Sequence, residues 1–288
     1  MPSERRQRQR EGRDWRRAQI EAAQRRARTR RRTYVFGALV VAVAVVILLL
    51  NVTSGGSKPT ASTTTTTAST TSTTAPGTPP TAPLQTGGTL AAWSCPKADG
   101  SSPHYLHFPS TAPPMCLDPS KSYTATLTTN QGTVAFTLDT QHTPKTANNF
   151  YVLSLYHYYD GTSIDRIDTS IDILQTGSPS TQTIADPGPG YTIPDEGTGF
   201  TYSAGDVVMA RGSSANSGAA QYFLVVGAKA SSLNAQGTYV TFGHVTSGLD
   251  VLQKIEGLYE PCPSSDTTCL GGAPKSVVLI SKVTVTAS

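Results

Sequence analysis

The chain has 288 residues, which sets one or two domains as the starting expectation, with 23 basic and 19 acidic side chains. The charge is unevenly placed: residues 1–32 hold 13 Arg against four acids, a net +9, while the remainder carries 10 basic against 15 acidic residues, a net −5. The overall pI of 8.9 therefore describes neither part and excludes reading the chain as uniformly basic.

In chain order, residues 1–32 read as a basic cytoplasmic tail. Such a run can bind nucleic acid. The simpler reading is that it fixes orientation and meets anionic headgroups, at roughly 1 kcal/mol per basic residue near the surface, and no nucleic-acid partner is expected. Thr33 to Leu50 is a run of 18 residues without a charge, close to the roughly 20 that cross a bilayer as a helix. A cleaved signal peptide is the competing reading, but its basic region would be unusually long and no clean small-x-small site follows Leu50. The expectation is a single-pass transmembrane helix over 33–51, left uncleaved. Its arginine-rich flank stays cytoplasmic and the C-terminal part lies outside the cell membrane.

Residues 52–90 are rich in Thr, Ser, Pro, Ala and Gly with almost no large apolar side chain, and read as a disordered linker. Residues 91–121 form a short Cys- and Pro-containing extension, too small for a core of its own. All four cysteines, Cys95, Cys116, Cys262 and Cys269, follow the membrane segment. An even count in an exported region fits disulfides. Four cysteines allow three pairings, of which sequence order favours Cys95–Cys116 and Cys262–Cys269. A zinc site is a lesser alternative, since there is no Cys-x-x-Cys, and free thiols are another. No metal is expected.

The domain proper is expected over 122–288. Tyr123 to Thr129 alternates as a half-buried strand, Asn130-Gln131-Gly132 signals a hairpin, and Thr133 to Leu138 returns. Thr143-Pro144 reads as an N-cap followed by proline at the first helical position, opening a helix to about Leu155 with Ala147, Phe150 and Leu153 or Ser154 on one face. Arg166 lies between isoleucines in a strand and points away from the apolar face; nine residues on comes Gln175, after Ile173 and Leu174. Residues 176–205 read as a long loop. Val207 to Ala210 and Gln221 to Val226 are short buried strands. Ser247 can cap a second helix, Gly248 to Ile255, burying Val251, Leu252 and Ile255. Ser276 to Val285 closes the domain.

Three stretches together resemble the cyclophilin-type peptidyl-prolyl isomerases. They are Arg166 to Gln175, then Val208-Met209-Ala210-Arg211 leading to Gln221-Tyr222-Phe223, then Leu233 to Gly237 and Tyr239 to Gly243. The family's pattern is Phe-His-Arg-x-Ile-Pro-Gly-Phe-Met-x-Gln-Gly, then Met-Ala-Asn leading to Gln-Phe-Phe, then Trp-Leu-Asp-Gly-x-His-x-Val-Phe-Gly. The likeness covers roughly Ser122 to Thr286. It implies a mainly β fold: a closed antiparallel eight-stranded barrel with two helices, preceded here by the transmembrane helix and linker. Closure also removes exposed edges. The implied activity is peptidyl-prolyl cis-trans isomerisation in protein folding, on proline-containing polypeptides, by a monomer without a cofactor. The anchored arrangement is similar to cyclophilin-like proteins of actinobacteria.

Turning an X-Pro bond means breaking amide resonance against a barrier of roughly 18–20 kcal/mol. The site must prefer the twisted state, in which the imide nitrogen regains a lone pair, and a fixed cation beside that nitrogen favours it. Arginine stays charged and holds a planar fork of donors. By resemblance, Arg166 is that donor and Gln175 orients it or contacts substrate. Phe223, Ile173, Met209 and Leu233 form the proline cup, Ala210 and Gln221 line the neighbouring groove, and Tyr239 stands where the family often has histidine.

The departures bear on strength. The family's Phe-His is Ile164-Asp165. Its Pro-Gly-Phe-Met has one extra residue here, so the pocket phenylalanine is replaced by Ile171 or Asp172. Its asparagine is Arg211, and its tryptophan is Ser232, which predicts weak cyclosporin binding. A second reading is therefore a binding module or scaffold at the cell envelope with little turnover. A third makes the basic tail the functional part.

Overall fold

The computed structural model describes residues 82–263 and 269–288. The stretches read as a cytoplasmic tail and a membrane segment, and most of the stretch read as a linker, fall outside the described residues. Among the described residues no helix is long and apolar enough to cross a membrane.

The described residues form twelve strands and two α-helices, in order: β1 (Gly88–Thr89), β2 (Tyr105–His107), β3 (Tyr123–Thr129), β4 (Gly132–Leu138), α1 (Pro144–Leu155), β5 (Thr162–Asp168), β6 (Ile173–Thr176), β7 (Asp206–Met209), β8 (Tyr222–Val225), β9 (Thr241–Ser247), α2 (Leu249–Glu256), β10 (Tyr259–Pro261), β11 (Gly272–Pro274) and β12 (Leu279–Ala287). The order β5-β12-β3-β4-β9-β7-β8-β6 closes on itself through β5–β6 pairing, so eight antiparallel strands form the expected barrel. The hairpin β10–β11 joins the ring at β5, where Gly272 pairs with Ile167. That hairpin was not anticipated.

Alternation builds the wall. Tyr123, Ala125 and Leu127 of β3 and Val134, Phe136 and Leu138 of β4 are buried, with threonines between them facing out on β3. Inside, Phe150 of α1 stacks on Tyr159 at 5.1 Å and meets Phe136 at 5.3 Å and Tyr222 at 5.4 Å. Each such ring contributes roughly 1.5–3 kcal/mol on burial.

Helix α1 begins at Pro144 after Thr143, as its sequence indicates, but Thr143 does not cap it with its side chain. Its hydroxyl donates to the carbonyls of Asp139 and Thr241. The free N–H groups of Lys145 and Thr146 go instead to the carboxylate of Glu196, from the long loop. The helix is buried from Thr146 to Leu155, wider than the single expected face. In α2, Gly248 rather than Ser247 holds the cap position, at φ 85°. A side chain there would run into the Thr133 carbonyl and Val134. Leu252 and Ile255 are buried, and Val251 is partly so, packed on the core.

The extension packs on the barrel. Trp93 stacks on Phe108 at 5.4 Å and meets Tyr191 edge-on at 5.5 Å, and Asn148 of α1 accepts the N–H groups of Cys116 and Leu117. The linker expectation runs too far: Ala82 is buried, and Gln85, Gly88 and Leu90 donate backbone N–H bonds to Pro179, His104 and His107. Backbone pairing needs no apolar side chain, so the Thr/Pro-rich composition did not reveal this order. Both favoured disulfides are formed, Cys95–Cys116 and Cys262–Cys269.

Candidate active site

Register sets the site. Arg166 on β5 lies opposite Gln175 on β6, Gln175 opposite Phe223 on β8, and Phe223 opposite Val208 on β7. Residues directly opposite one another share a face of the sheet, so one row across four strands carries a cation, an amide and an aromatic ring. This row lies in a groove of about 510 Å³ whose lining includes Arg166, Ile171, Ile173, Gln175, Phe223 and Leu233.

The guanidinium of Arg166 is held on three sides. Nη1 donates to Gln175 Oε1 at 2.9 Å, Nη2 to Asp168 Oδ2 at 2.5 Å, and Nε to the Leu270 carbonyl at 3.1 Å. Five N–H donors belong to the group, so two remain for a ligand. The amide of Gln175 is fixed in turn: its Nε2 donates to Gln221 Oε1 at 2.8 Å, and Gln221 Nε2 to the Ile184 carbonyl at 3.2 Å. Leu270 reaches Arg166 because Gly271 lies against β5 with φ +75°; a Cβ there would stand 2.6 Å from the Ile167 carbonyl.

Phe223 and Ile173 belong to a small apolar cluster apart from the main core, with Ile171, Leu233, Ala210 and Tyr239 packed against it. Tyr239 meets Phe223 edge-on at 5.6 Å. Its backbone is pinned from both sides by the Tyr202 hydroxyl, which accepts from Tyr239 N and donates to Tyr239 O. Ala210, Gln221, Leu233 and Tyr239 all line the groove. Met209 does not: it packs in the main core and is absent from the groove lining. On β7 it alternates with Val208, which joins the Phe223 cluster, so its side chain points inward.

The extra residue of this chain is absorbed at Asp172, which has φ 49°. Asp tolerates this left-handed backbone better than most residues. Its carboxylate accepts from Lys229 Nζ at 2.8 Å and from Lys229 N at 2.9 Å. Asp172 thus turns away, and Ile171 stands at the cup. Asp168 is the residue sequence reasoning missed, although two residues' spacing from Arg166 on a strand puts both on one face. Burial would push its carboxyl up, but the Ser170 hydrogen bonds and the Arg166 charge outweigh that and hold it below the usual range. Asp165, at a bulge in β5, is the opposite case: both its oxygens are buried, and that burial outweighs the nearby Ser178 and Arg166 and pushes its carboxyl up to about 7. Among the described residues, no three His, Cys, Asp or Glu side chains are grouped to hold a metal ion.

The site is thus an apolar cup with a fixed guanidinium at its edge, set in a closed antiparallel barrel. The profile of the family described as "Cyclophilin type peptidyl-prolyl cis-trans isomerase/CLD" matches residues 124–285, so this chain belongs to the cyclophilin-type peptidyl-prolyl cis-trans isomerase family. It is 32% identical over 153 residues to the "Probable peptidyl-prolyl cis-trans isomerase B" of Mycobacterium tuberculosis, covering 48% of this chain and 47% of that protein. The chain thus spans about half the length of that relative. A "Peptidyl-prolyl cis-trans isomerase" of Acinetobacter baylyi is 30% identical over 161 residues, covering 54% of this chain and 82% of its own. A solved cyclophilin-type isomerase of Cryptosporidium parvum overlays with a TM-score of 0.46 at 25% identity, covering 58% of this chain and 99% of its own.

Proposed function

We propose that this chain is a peptidyl-prolyl cis-trans isomerase of membrane-anchored, actinobacterial type. Its tail faces the cytoplasm, one helix over residues 33–51 anchors it, and its barrel assists folding of proline-containing segments of exported proteins, as a monomer. The observation that carries the activity is the row Arg166–Gln175–Phe223, which puts a fixed cation beside an apolar cup. The proline ring fills the cup formed by Phe223, Ile173, Ile171 and Leu233. A remaining Arg166 donor meets the imide nitrogen as it pyramidalises, which favours the twisted state over both planar ones. The basic tail, the uncharged run after it and the two disulfides support the location.

Exchange spectroscopy on an Ala-Pro peptide tests the activity with the full chain in detergent. Arg166→Ala lowers kcat/KM about a hundredfold while thermal unfolding stays cooperative; an unchanged rate overturns the assigned role. Protease added to intact cells removes the barrel if it lies outside, and protection of the barrel refutes the location.

A second reading, a proline-peptide binding module with little turnover, is favoured by one observation. Asp168 occupies and neutralises the guanidinium on which catalysis would depend. Saturable peptide binding without acceleration above background selects that reading.

A further inference from the structure

Arg211 is the second arginine of the groove. It follows β7 and Ala210, and its surroundings differ from those of Arg166. Its side chain is 9% exposed. Nη1 donates to the Ser214 carbonyl at 2.8 Å and forms a long ion pair with Asp195 Oδ2 at 3.6 Å, beyond good hydrogen-bond distance. The same Asp195 oxygen accepts the N–H of Asn216 at 3.1 Å. Nε is buried and has no acceptor in the protein. The guanidinium stands 5.8 Å from the Tyr239 ring centre, and Tyr239 in turn packs on Phe223. The charge is therefore fixed against the wall of the proline cup and incompletely satisfied.

The other charges of the groove are held more tightly than this long Arg211–Asp195 pair. Arg166 is paired with Asp168. Asp186 accepts the N–H groups of Ser180, Thr181 and Gly188. A groove-lining cation whose only ion pair is long favours an anionic acceptor over a neutral one, because charge-assisted bonds are the stronger.

We propose that Arg211 is a specificity-determining residue that recruits substrates carrying a carboxylate next to the proline. This deepens the isomerase reading and rests on the groove assigned there. A carboxylate source is an acidic side chain on either side of the proline, or the C-terminal carboxylate of a chain ending in proline. A bound carboxylate meets the part of the Arg211 guanidinium that the groove leaves exposed while the ring sits against Phe223 and Tyr239. Tyr239 thus joins the two parts of the site, backing both the ring and the charge.

The test is a ratio, read on the full chain in detergent. Peptides are paired as Glu-Pro against Gln-Pro, Pro-Glu against Pro-Gln, and a free against an amidated C-terminal proline. In at least one pair the carboxylate member has about a tenfold higher kcat/KM, the gain of one charge-assisted bond over a neutral one; the pair that shows it identifies the source. Arg211→Gln brings that ratio to about one, and Arg211→Lys, which keeps the charge but not the fork, retains a part of it. Cooperative thermal unfolding of each variant separates this from misfolding. Ratios near one in the native chain, or a ratio unmoved by Arg211→Gln, overturn the proposal. If no peptide is turned over, the isomerase reading falls, and the same ratio read as peptide affinity by calorimetry decides the carboxylate preference. Absence of binding to every peptide overturns both.

Discussion

Asp168 accepts a hydrogen bond from Arg166 Nη2 at 2.5 Å, and the two side chains are 12% and 16% exposed. An acid so close reduces the charge that Arg166 presents to an imide nitrogen, while its geometry helps hold the fork in place. Asp168 also anchors the turn that follows, accepting the N–H and hydroxyl of Ser170.

Asp168→Asn separates the two effects. The amide oxygen still accepts from Arg166, and the negative charge is gone. If turnover depends on net charge at the guanidinium, kcat/KM on an Ala-Pro peptide rises about tenfold. A fall in exchange-spectroscopy rates instead shows that Asp168 acts chiefly by positioning Arg166.

Ile171 stands where a larger ring would close the cup. It is only partly buried, beside Phe223 and Ile173. Ile171→Phe adds apolar surface facing the proline ring, on the order of 1 kcal/mol of binding, so KM falls about fivefold. Asp172 keeps its left-handed turn and its Lys229 partner in this variant, so the wall is replaced without moving the insertion. A KM that stays or rises places the ring elsewhere in the groove.

The Cys95–Cys116 bridge closes 21 residues of extension against α1, where Asn148 accepts two backbone donors beside Cys116. By loop-closure entropy its removal as a Cys95→Ser/Cys116→Ser pair costs about 3 kcal/mol. Denaturant unfolding of the double variant measures this. The Trp93 ring, stacked on Phe108, reports the same opening by fluorescence. An unchanged midpoint means that aromatic packing alone holds the extension.

The barrel was legible because its strands alternate: Tyr123, Ala125 and Leu127 are separated by threonines, and Phe223 follows Gln221 by two. The same rule, applied strictly, separates Met209 from Ala210, since neighbours on a strand face opposite ways. It also puts Asp168 beside Arg166. What no local pattern carries is contact between distant backbones. The Leu270 carbonyl reaches Arg166 across 104 positions, and Glu196 caps α1 from 50 residues away. Nor does sequence alone say which residue absorbs the extra position; Asp172 does so through a backbone conformation that only the fold imposes.

Asp165 makes stability depend on pH in the unusual direction. Burial, only partly offset by Ser178 and the Arg166 charge, raises its carboxyl to about 7, against an ordinary value of 3.8. Between those values the unfolded chain is ionised there and the folded one is protonated, so the folded state binds the extra proton. Stability then falls as pH rises, by about 1.4 kcal/mol per pH unit in this window, and levels off above about 7. The loss reaches roughly 4 kcal/mol. Asp165→Asn removes the titrating group, so the variant matches the native protein near pH 4 and melts at higher temperature at pH 8. Asp168 works against this slope: its folded-state carboxyl is held low, so its contribution is present above the ordinary carboxylate range and lost on acidification. The two windows separate, Asp168 acting at and below the ordinary range and Asp165 above it. Thermal unfolding from pH 3 to pH 8 resolves them. A native melting temperature that does not fall between pH 5 and 8, or an Asp165→Asn variant with the same slope as the native chain, refutes the assignment.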